Sequence, residues 1–183
     1  MCIANLYLQI MKSQMSDKIS SVKDLLKQGN LPHKGPILYR WWFVDDPDNS
    51  KIVDIIRRYS QIELSKCMSM TQNGKTYYAL YFGKGINGRR RIKNHMRPPM
   101  RTSTLRRTIA ALLETTDEER ITQELQQCYY EWWEYDCDKK ALEGMELEWI
   151  KSGYYPLNLK DNNKISDEWK NYLQNKRKQL VSK

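Results

Sequence analysis

The pair Asn73-Gly74 separates SKCMSMTQ from KTYYALYF, two stretches with period-two patterning. An Asn-Gly turn supplies the positive φ that both central positions of a two-residue hairpin demand, and its twist matches antiparallel strands. An antiparallel hairpin is thereby fixed before any other element is considered. Its second arm runs into Gly83-Lys84-Gly85-Ile86-Asn87-Gly88, and GRRRIKNHM follows as a helix. Gly83, Gly85 and Gly88 carry the GxGxxG spacing of a dinucleotide-binding loop. That loop, however, belongs to a parallel βαβ unit and needs an acid about 20 residues onward for the ribose hydroxyl. Here a hairpin arm precedes the glycines and RTSTLRR lies downstream, where arginines would suit only a 2′-phosphate. No GxxxxGK[ST] phosphate loop occurs.

Ile37 to Phe43 (ILYRWWF) is β-branched and aromatic and reads as a strand closed by DDPDN. CYYEWWEYD alternates like a further, half-buried strand. Helices are expected in SDKISSVKDLLKQ, with Ile19, Val22, Leu25 and Leu26 apolar, and in KIVDIIRRY, capped by Asp48 or Asn49. Others are expected in TSTLRRTIAALLE, DEERITQELQQ, KKALEGMELEWIKS and DEWKNYLQNKRKQL. The fold class is therefore α+β: a small mixed sheet of about three to four strands, mostly antiparallel, flanked by helices. At 183 residues the chain makes one domain. Residues 1–34 are expected as an N-terminal helical extension, 35–160 as the core, and 161–183 as a C-terminal helix packed on it. The first residues, MCIANLYLQIMKSQMSDK, lack the charge and cleavage pattern of a signal peptide and read as a strand or tail. No apolar stretch reaches the length of a membrane span. Scattered cysteines without CxxC, and only two histidines, argue against zinc and for a reduced, cytoplasmic setting.

Charge points to a partner. From Leu64 to Leu113 there is no acid, while the net charge of the chain is +9. That stretch carries Lys66, Lys75, Lys84, Arg89, Arg90, Arg91, Lys93, Arg97, Arg101, Arg106 and Arg107. A block of one sign this long is the footprint of a face that binds polyanions.

Within the block, Arg91 and His95 share a helix face. On the strands, Tyr77, Ala79 and Tyr81 share one face, and Ile37, Tyr39, Trp41 and Phe43 share another. If these strands are neighbours, Tyr39, Tyr81, Arg91 and His95 surround one spot, a constellation suited to a phosphodiester. Taken alone, the same residues also fit core tyrosines beside a surface arginine. In KKALEGMELEWIKS only Glu146 has Leu142, Trp149 and Ile150 as helical neighbours, and a carboxylate on an apolar face needs a cationic partner or a metal. Glu143 and Glu148 fall toward solvent.

These residues resemble the marks of the GIY-YIG nuclease superfamily, over most of the chain. The two tyrosine motifs stand as Ile37-Leu38-Tyr39 and Tyr81-Phe82-Gly83, with Ile37 replacing a glycine and Phe82 an isoleucine. Arg91 and His95 match the family's arginine and its His or Tyr one turn later, and Lys84 matches a lysine beside the glycine. Glu146 and Asn158, in E-L-E-W-I-K and P-L-N, match its metal-binding glutamate and later asparagine. The resemblance implies an endonuclease that hydrolyses DNA by water attack, with one divalent ion, Mg²⁺ or in its place Mn²⁺, on Glu146. It implies Tyr39 as general base, directly or through a water, with Lys84 or the metal helping to lower its pKa, and Arg91 stabilising the phosphorane. His95 would hold Tyr39 or the nucleophile, Tyr81 would position the phosphate, and Asn158 would brace the site. Arg89, Arg90, Lys93, Arg97, Arg101, Arg106 and Arg107 would track the DNA backbone. A standalone domain of this kind fits restriction or defence, as a monomer or a homodimer. Two rival readings are a DNA-binding module without catalysis and an oligomer surface built from Trp41-Trp42, Tyr129-Tyr130 and Trp132-Trp133.

Overall fold

The structure, a computed structural model, describes residues 19–29 and 31–181. The N-terminal stretch expected as a strand or tail, with the first residues of the helix expected in SDKISSVKDLLKQ, lies outside them. In chain order the elements are β1 (Ile19–Ser21), α1 (Val22–Gln28), β2 (Ile37–Val44), α2 (Ile52–Arg57), β3 (Ser69–Gln72) and β4 (Lys75–Gly85). Then follow α3 (Gly88–Met96), α4 (Thr104–Leu113), α5 (Glu118–Gln126), β5 (Tyr129–Glu134), α6 (Lys139–Ser152) and α7 (Asp167–Val181). The Asn73-Gly74 turn has φ of 51° and 71°, so the hairpin between β3 and β4 forms as its sequence demands.

The fold is α+β, and its sheet corrects the expected one. It has five strands in the order β1-β5-β2-β4-β3, and every pairing is antiparallel. The surplus strand comes from Ile19–Ser21, expected to be helical. There the chain stays extended against Tyr129–Glu131 until Ser21 caps α1 by accepting from the Asp24 amide.

Central β2 is buried along its whole length and divides two packed layers. Ile37, Tyr39, Trp41 and Phe43 face the larger layer, with Ile92, Leu105, Ile109, Ile121 and Trp169 from the helices. Leu38, Trp42 and Val44 face α6, which contributes Leu142, Trp149 and Ile150. On this second side Arg40 ion-pairs with Glu131 at 2.7 Å across the β2–β5 register. Its guanidinium lies over Trp42 at 4.6 Å, while Trp42 Nε1 donates to the same carboxylate at 2.9 Å. Trp41, Trp42, Tyr130, Trp132 and Trp133 are thus interior residues of one chain, which removes the oligomer-surface reading of those stretches.

A β-bulge sets the phase of β4. Trp41 pairs with Tyr81 and Trp42 with Ala79, so Leu80 is the extra residue. Strict alternation puts Tyr77, Ala79 and Tyr81 on one face. The bulge instead leaves Tyr77 and Ala79 toward α6 and turns Tyr81 into the larger layer beside Tyr39. The backbone groups of this stretch are satisfied by the segment after α6. Leu157 N donates to Leu80 O at 3.0 Å, and the Asn158 side chain bonds both the N–H and the C=O of Phe82 at 2.8 Å.

The start of α2 also departs from the sequence expectation. Its cap position is Lys51, with no side-chain cap from Asp48 or Asn49. The acceptor is the buried Glu124 of α5, which takes Ser50 Oγ at 2.8 Å and Lys51 N at 3.1 Å. Glu124→Ala should therefore cost about 1–3 kcal/mol of stability, because buried donors lose their acceptor. Asp48→Ala should stay within about 0.5 kcal/mol. Urea unfolding of the two variants beside the wild type measures both.

Candidate active site

The site forms where β2 and β4 meet the start of α3. Tyr39 pairs with Gly83 in the β2–β4 register and is fully buried. A Cβ added at Gly83 would lie 2.6 Å from the Tyr39 hydroxyl oxygen, so only glycine leaves room for that phenol. The Ile37 departure finds its reason in the same way. A Cβ at Gly88 would approach Ile37 Cγ2 to 2.7 Å, so the isoleucine fills the space that Gly88 leaves, inside the core. Phe82 points to the opposite layer, stacked on Trp149 at 5.1 Å between centroids, and does not touch the site.

Helix α3 brings two groups to Tyr39. Asn87 caps the helix by accepting from Arg90 N at 2.8 Å, which fixes its direction. Four residues apart, Arg91 and His95 then present Nε and Nε2 to the Tyr39 hydroxyl, each at 2.8 Å. On its other side His95 Nδ1 meets Ser103 Oγ at 2.7 Å. Ser103 caps α4 and accepts from Arg106 N at 3.2 Å, leaving His95 as the only acceptor in reach of its hydroxyl proton among the described residues. When the Ser103 hydroxyl donates to Nδ1, Nε2–H is left to donate to Tyr39, the tautomer that suits a Tyr39 phenolate. Tyr39 oxygen so receives two N–H donors, an arrangement complementary to a phenolate.

Electrostatics oppose that charge in the free protein. Burial pushes the Tyr39 phenol well above its ordinary range, and the Arg91 guanidinium offsets this only in part. Lys84, expected to help ionise Tyr39, is paired elsewhere: its ammonium bonds Glu146 and lies 3.9 Å from Glu143. Tyr81 is raised by burial as well, with Arg91 opposing. His95 is held well below its usual value by burial, then by Arg91 and Arg106, and so stays neutral. Tyr130, whose ring stacks on Tyr39 at 5.4 Å, has no hydrogen-bond partner for its hydroxyl among the described residues.

The other expected residues distribute as follows. Asn158 braces β4 through Phe82 and makes no bond to Glu146. Arg89, Arg90, Arg97 and Arg101 are exposed, and Lys93 and Arg107 half-buried. Arg106 corrects its assignment as a DNA contact. It is fully buried, donates to His95 O and Thr122 Oγ1 at 3.1 Å, and ion-pairs with Glu118. Its charge is consumed in joining α3, α4 and α5. Ser103 and Tyr130 escaped the sequence reading. Ser103 was legible as a helix cap, but its bond to His95 depends on how the two helices pack.

A cleft of about 330 Å³ opens beside this network, walled by Lys84, Asn87, Arg90, Arg91, Asn94 and Glu146. Among the described residues no three His, Cys, Asp or Glu side chains cluster to hold a metal ion. Glu146 is the carboxylate of the cleft wall. A magnesium-type ion takes one or two carboxylates and completes its shell with water and substrate phosphate, so this donor set fits one. Leu142, Trp149 and Ile150 seat α6 so that Glu146 reaches the cleft edge, its side chain 20% exposed beside Lys84.

The pH dependence of stability follows from His95. Its value in the fold lies below that of the unfolded chain, so its contribution is complete above about pH 6.5 and lost as pH falls toward the folded value. Stability should drop by about 1.4 kcal/mol per pH unit from this residue in that window. His95→Gln should flatten that limb in denaturant unfolding between neutral and mildly acid buffers.

The residues assembled here coincide with a known family. The model of the GIY-YIG catalytic domain matches residues 37–179, from the first residue of β2 nearly to the end of α7. No curated protein and no solved structure matches the chain. No helix among the described residues is long and apolar enough to cross a membrane. A family match over most of the chain, on a sheet that brings both tyrosine motifs together, shows that this protein belongs to the GIY-YIG nuclease superfamily.

Proposed function

We propose that the protein is a divalent-metal-dependent endonuclease that hydrolyses DNA phosphodiester bonds. Membership of the family supports nuclease chemistry in general, and family members generally depend on a divalent metal. The observation that carries the finer reading is the convergence of Arg91 and His95 on the Tyr39 oxygen, behind a cleft walled by Arg91, Lys84 and Glu146.

Arg91 is the hinge of the mechanism. Its Nε is committed to Tyr39, and the guanidinium also forms part of the cleft wall, where its remaining N–H groups suit phosphate oxygens. A phosphate drawn against those groups leaves the Nε–H bond to Tyr39 in place and brings water to the phenol. Tyr39 first gives its own proton to that solvent. The resulting phenolate takes a proton from the attacking water as the water oxygen bonds to phosphorus, while the bond to the 3′-oxygen breaks and solvent protonates that oxygen as it leaves. His95 keeps Tyr39 in place and donates to the oxygen that gives up and regains the proton. Arg91 stabilises the charge on the phosphorane, and Tyr81 positions the phosphate. Glu146 would hold the divalent ion, Mg²⁺ or Mn²⁺, which supplies Lewis-acid stabilisation of the leaving oxygen. The exposed Arg89, Arg90, Arg97 and Arg101, with Lys93, give backbone affinity without reading bases.

The full burial of Tyr39 favours, as a second reading, a DNA-binding module without turnover. Supercoiled plasmid incubated with and without Mg²⁺ or Mn²⁺ separates the two. Nicking or linearisation that requires the ion, and is lost in Glu146→Ala while salt-dependent DNA binding persists, is the expected result. Undiminished cleavage by that variant would remove Glu146 as the metal ligand. Tyr39→Phe should lower the rate by about 10²–10⁴-fold, the usual loss for a general base. Retardation of the plasmid without cleavage in any ion leaves the binding module.

A further inference from the structure

Two arginines near Tyr81 have no acid to balance them. Arg107 of α4 and Arg177 of α7 interact electrostatically, and Arg177 also acts on Tyr81. Neither forms an ion pair with any described residue, unlike Arg40 and Arg106, each of which meets a carboxylate. What holds them are threonine hydroxyls: Arg107 Nη2 donates to Thr104 Oγ1 at 3.3 Å, and Arg177 Nη2 donates to Thr108 Oγ1. The Nε atoms of both guanidiniums are buried and without a partner among the described residues. Thr104, Arg107 and Thr108 share the N-terminal part of one face of α4, whose first turn carries no acid. The positive end of the helix dipole therefore adds to both charges.

An unpaired like-charge couple costs the free fold energy, and burial with the neighbouring guanidinium pushes Arg177 down to about 10. It remains a cation at neutral pH. A tetrahedral anion held by the exposed N–H groups of both guanidiniums would relieve the repulsion, as guanidinium–phosphate pairs do. We propose that Arg107 and Arg177 form a phosphate subsite next to Tyr81, which grips one backbone phosphate of the DNA strand being cut. The inference rests on the reading of the cleft as a DNA nuclease site. It gives α7 a function beyond packing, since the helix would carry one arm of the substrate clamp.

The test uses the full chain and a labelled DNA duplex, titrated by fluorescence anisotropy across a salt series without divalent ion. Arg107→Gln and Arg177→Gln should each weaken binding roughly tenfold and reduce the slope of log K against log salt by about 0.9, the loss of one phosphate contact. The double variant should show the same reduction as either single one, because both side chains hold the same phosphate. Arg177→Lys should restore most of the slope. In thermal melts, inorganic phosphate should raise the Tm of the wild type more than that of the double variant. Unchanged slopes with a lowered Tm would assign both arginines to structure and overturn the subsite. A slope reduced twice over in the double variant would replace one shared phosphate by two separate contacts. Plasmid cleavage by the wild type with unchanged slopes in the variants removes the subsite and leaves the nuclease reading. The expected slopes in a protein that cuts no DNA in any ion remove that reading and keep the subsite.

Discussion

The single extra residue at Leu80 decides what β4 can do. One phase of β4, with Tyr77 and Ala79, packs toward α6, and after the bulge the phase reverses so that Tyr81 enters the layer of Tyr39 while Phe82 packs under Trp149. A one-residue change in register exchanges the two faces of a strand, so without the bulge Tyr81 and Phe82 would trade places. The bulge persists because its backbone is satisfied from outside the sheet. Leu157 and Asn158 supply the missing partners along the part of β4 that β3 does not cover. Asn158 thus serves the site at one remove, by holding the strand that carries Tyr81 and Lys84.

The site is a cationic cluster built around neutral groups. Arg91, Arg106, Arg107 and Arg177 lie within a layer that also holds neutral His95 and two protonated phenols. Different partners accommodate the positive charges. Glu118 neutralises Arg106 inside the fold, Lys84 and Glu146 compensate one another at the cleft, and Arg91 rests on Tyr39. Arg107 and Arg177 rest on the threonine hydroxyls of α4 instead. A preorganised positive field of this kind favours charge that develops during the reaction, and it needs no rearrangement of solvent to act.

Several of these features were legible in the sequence. The Asn73-Gly74 hairpin, the spans of α3 and α6, the shared face of Ile37, Tyr39, Trp41 and Phe43, and the helical neighbours of Glu146 all follow from periods of two and 3.6 residues. The spacing of Arg91 and His95 foretold that they meet one target, because a helix stacks residues four apart whatever surrounds it. The acid-free block from Leu64 to Leu113 announced the cationic face.

Other features depended on contacts between distant segments. No local pattern distinguishes Arg106, which turns inward to Glu118, from its neighbour Arg107, since both sit in the same run and differ only in which helix lies opposite. Glu124 could not be read as the cap of α2 because its donors lie more than seventy residues away. Ile19–Ser21 has helical spacing, yet the edge of β5 offered it backbone partners that the helix could not match. The sequence by itself therefore determined most of the elements and most of their buried faces, because these rest on local periodicity. The bulge, the inward turn of Arg106 and the meeting of Arg107 with Arg177 were decided only by tertiary structure, because burial and backbone satisfaction are settled when remote segments pack together.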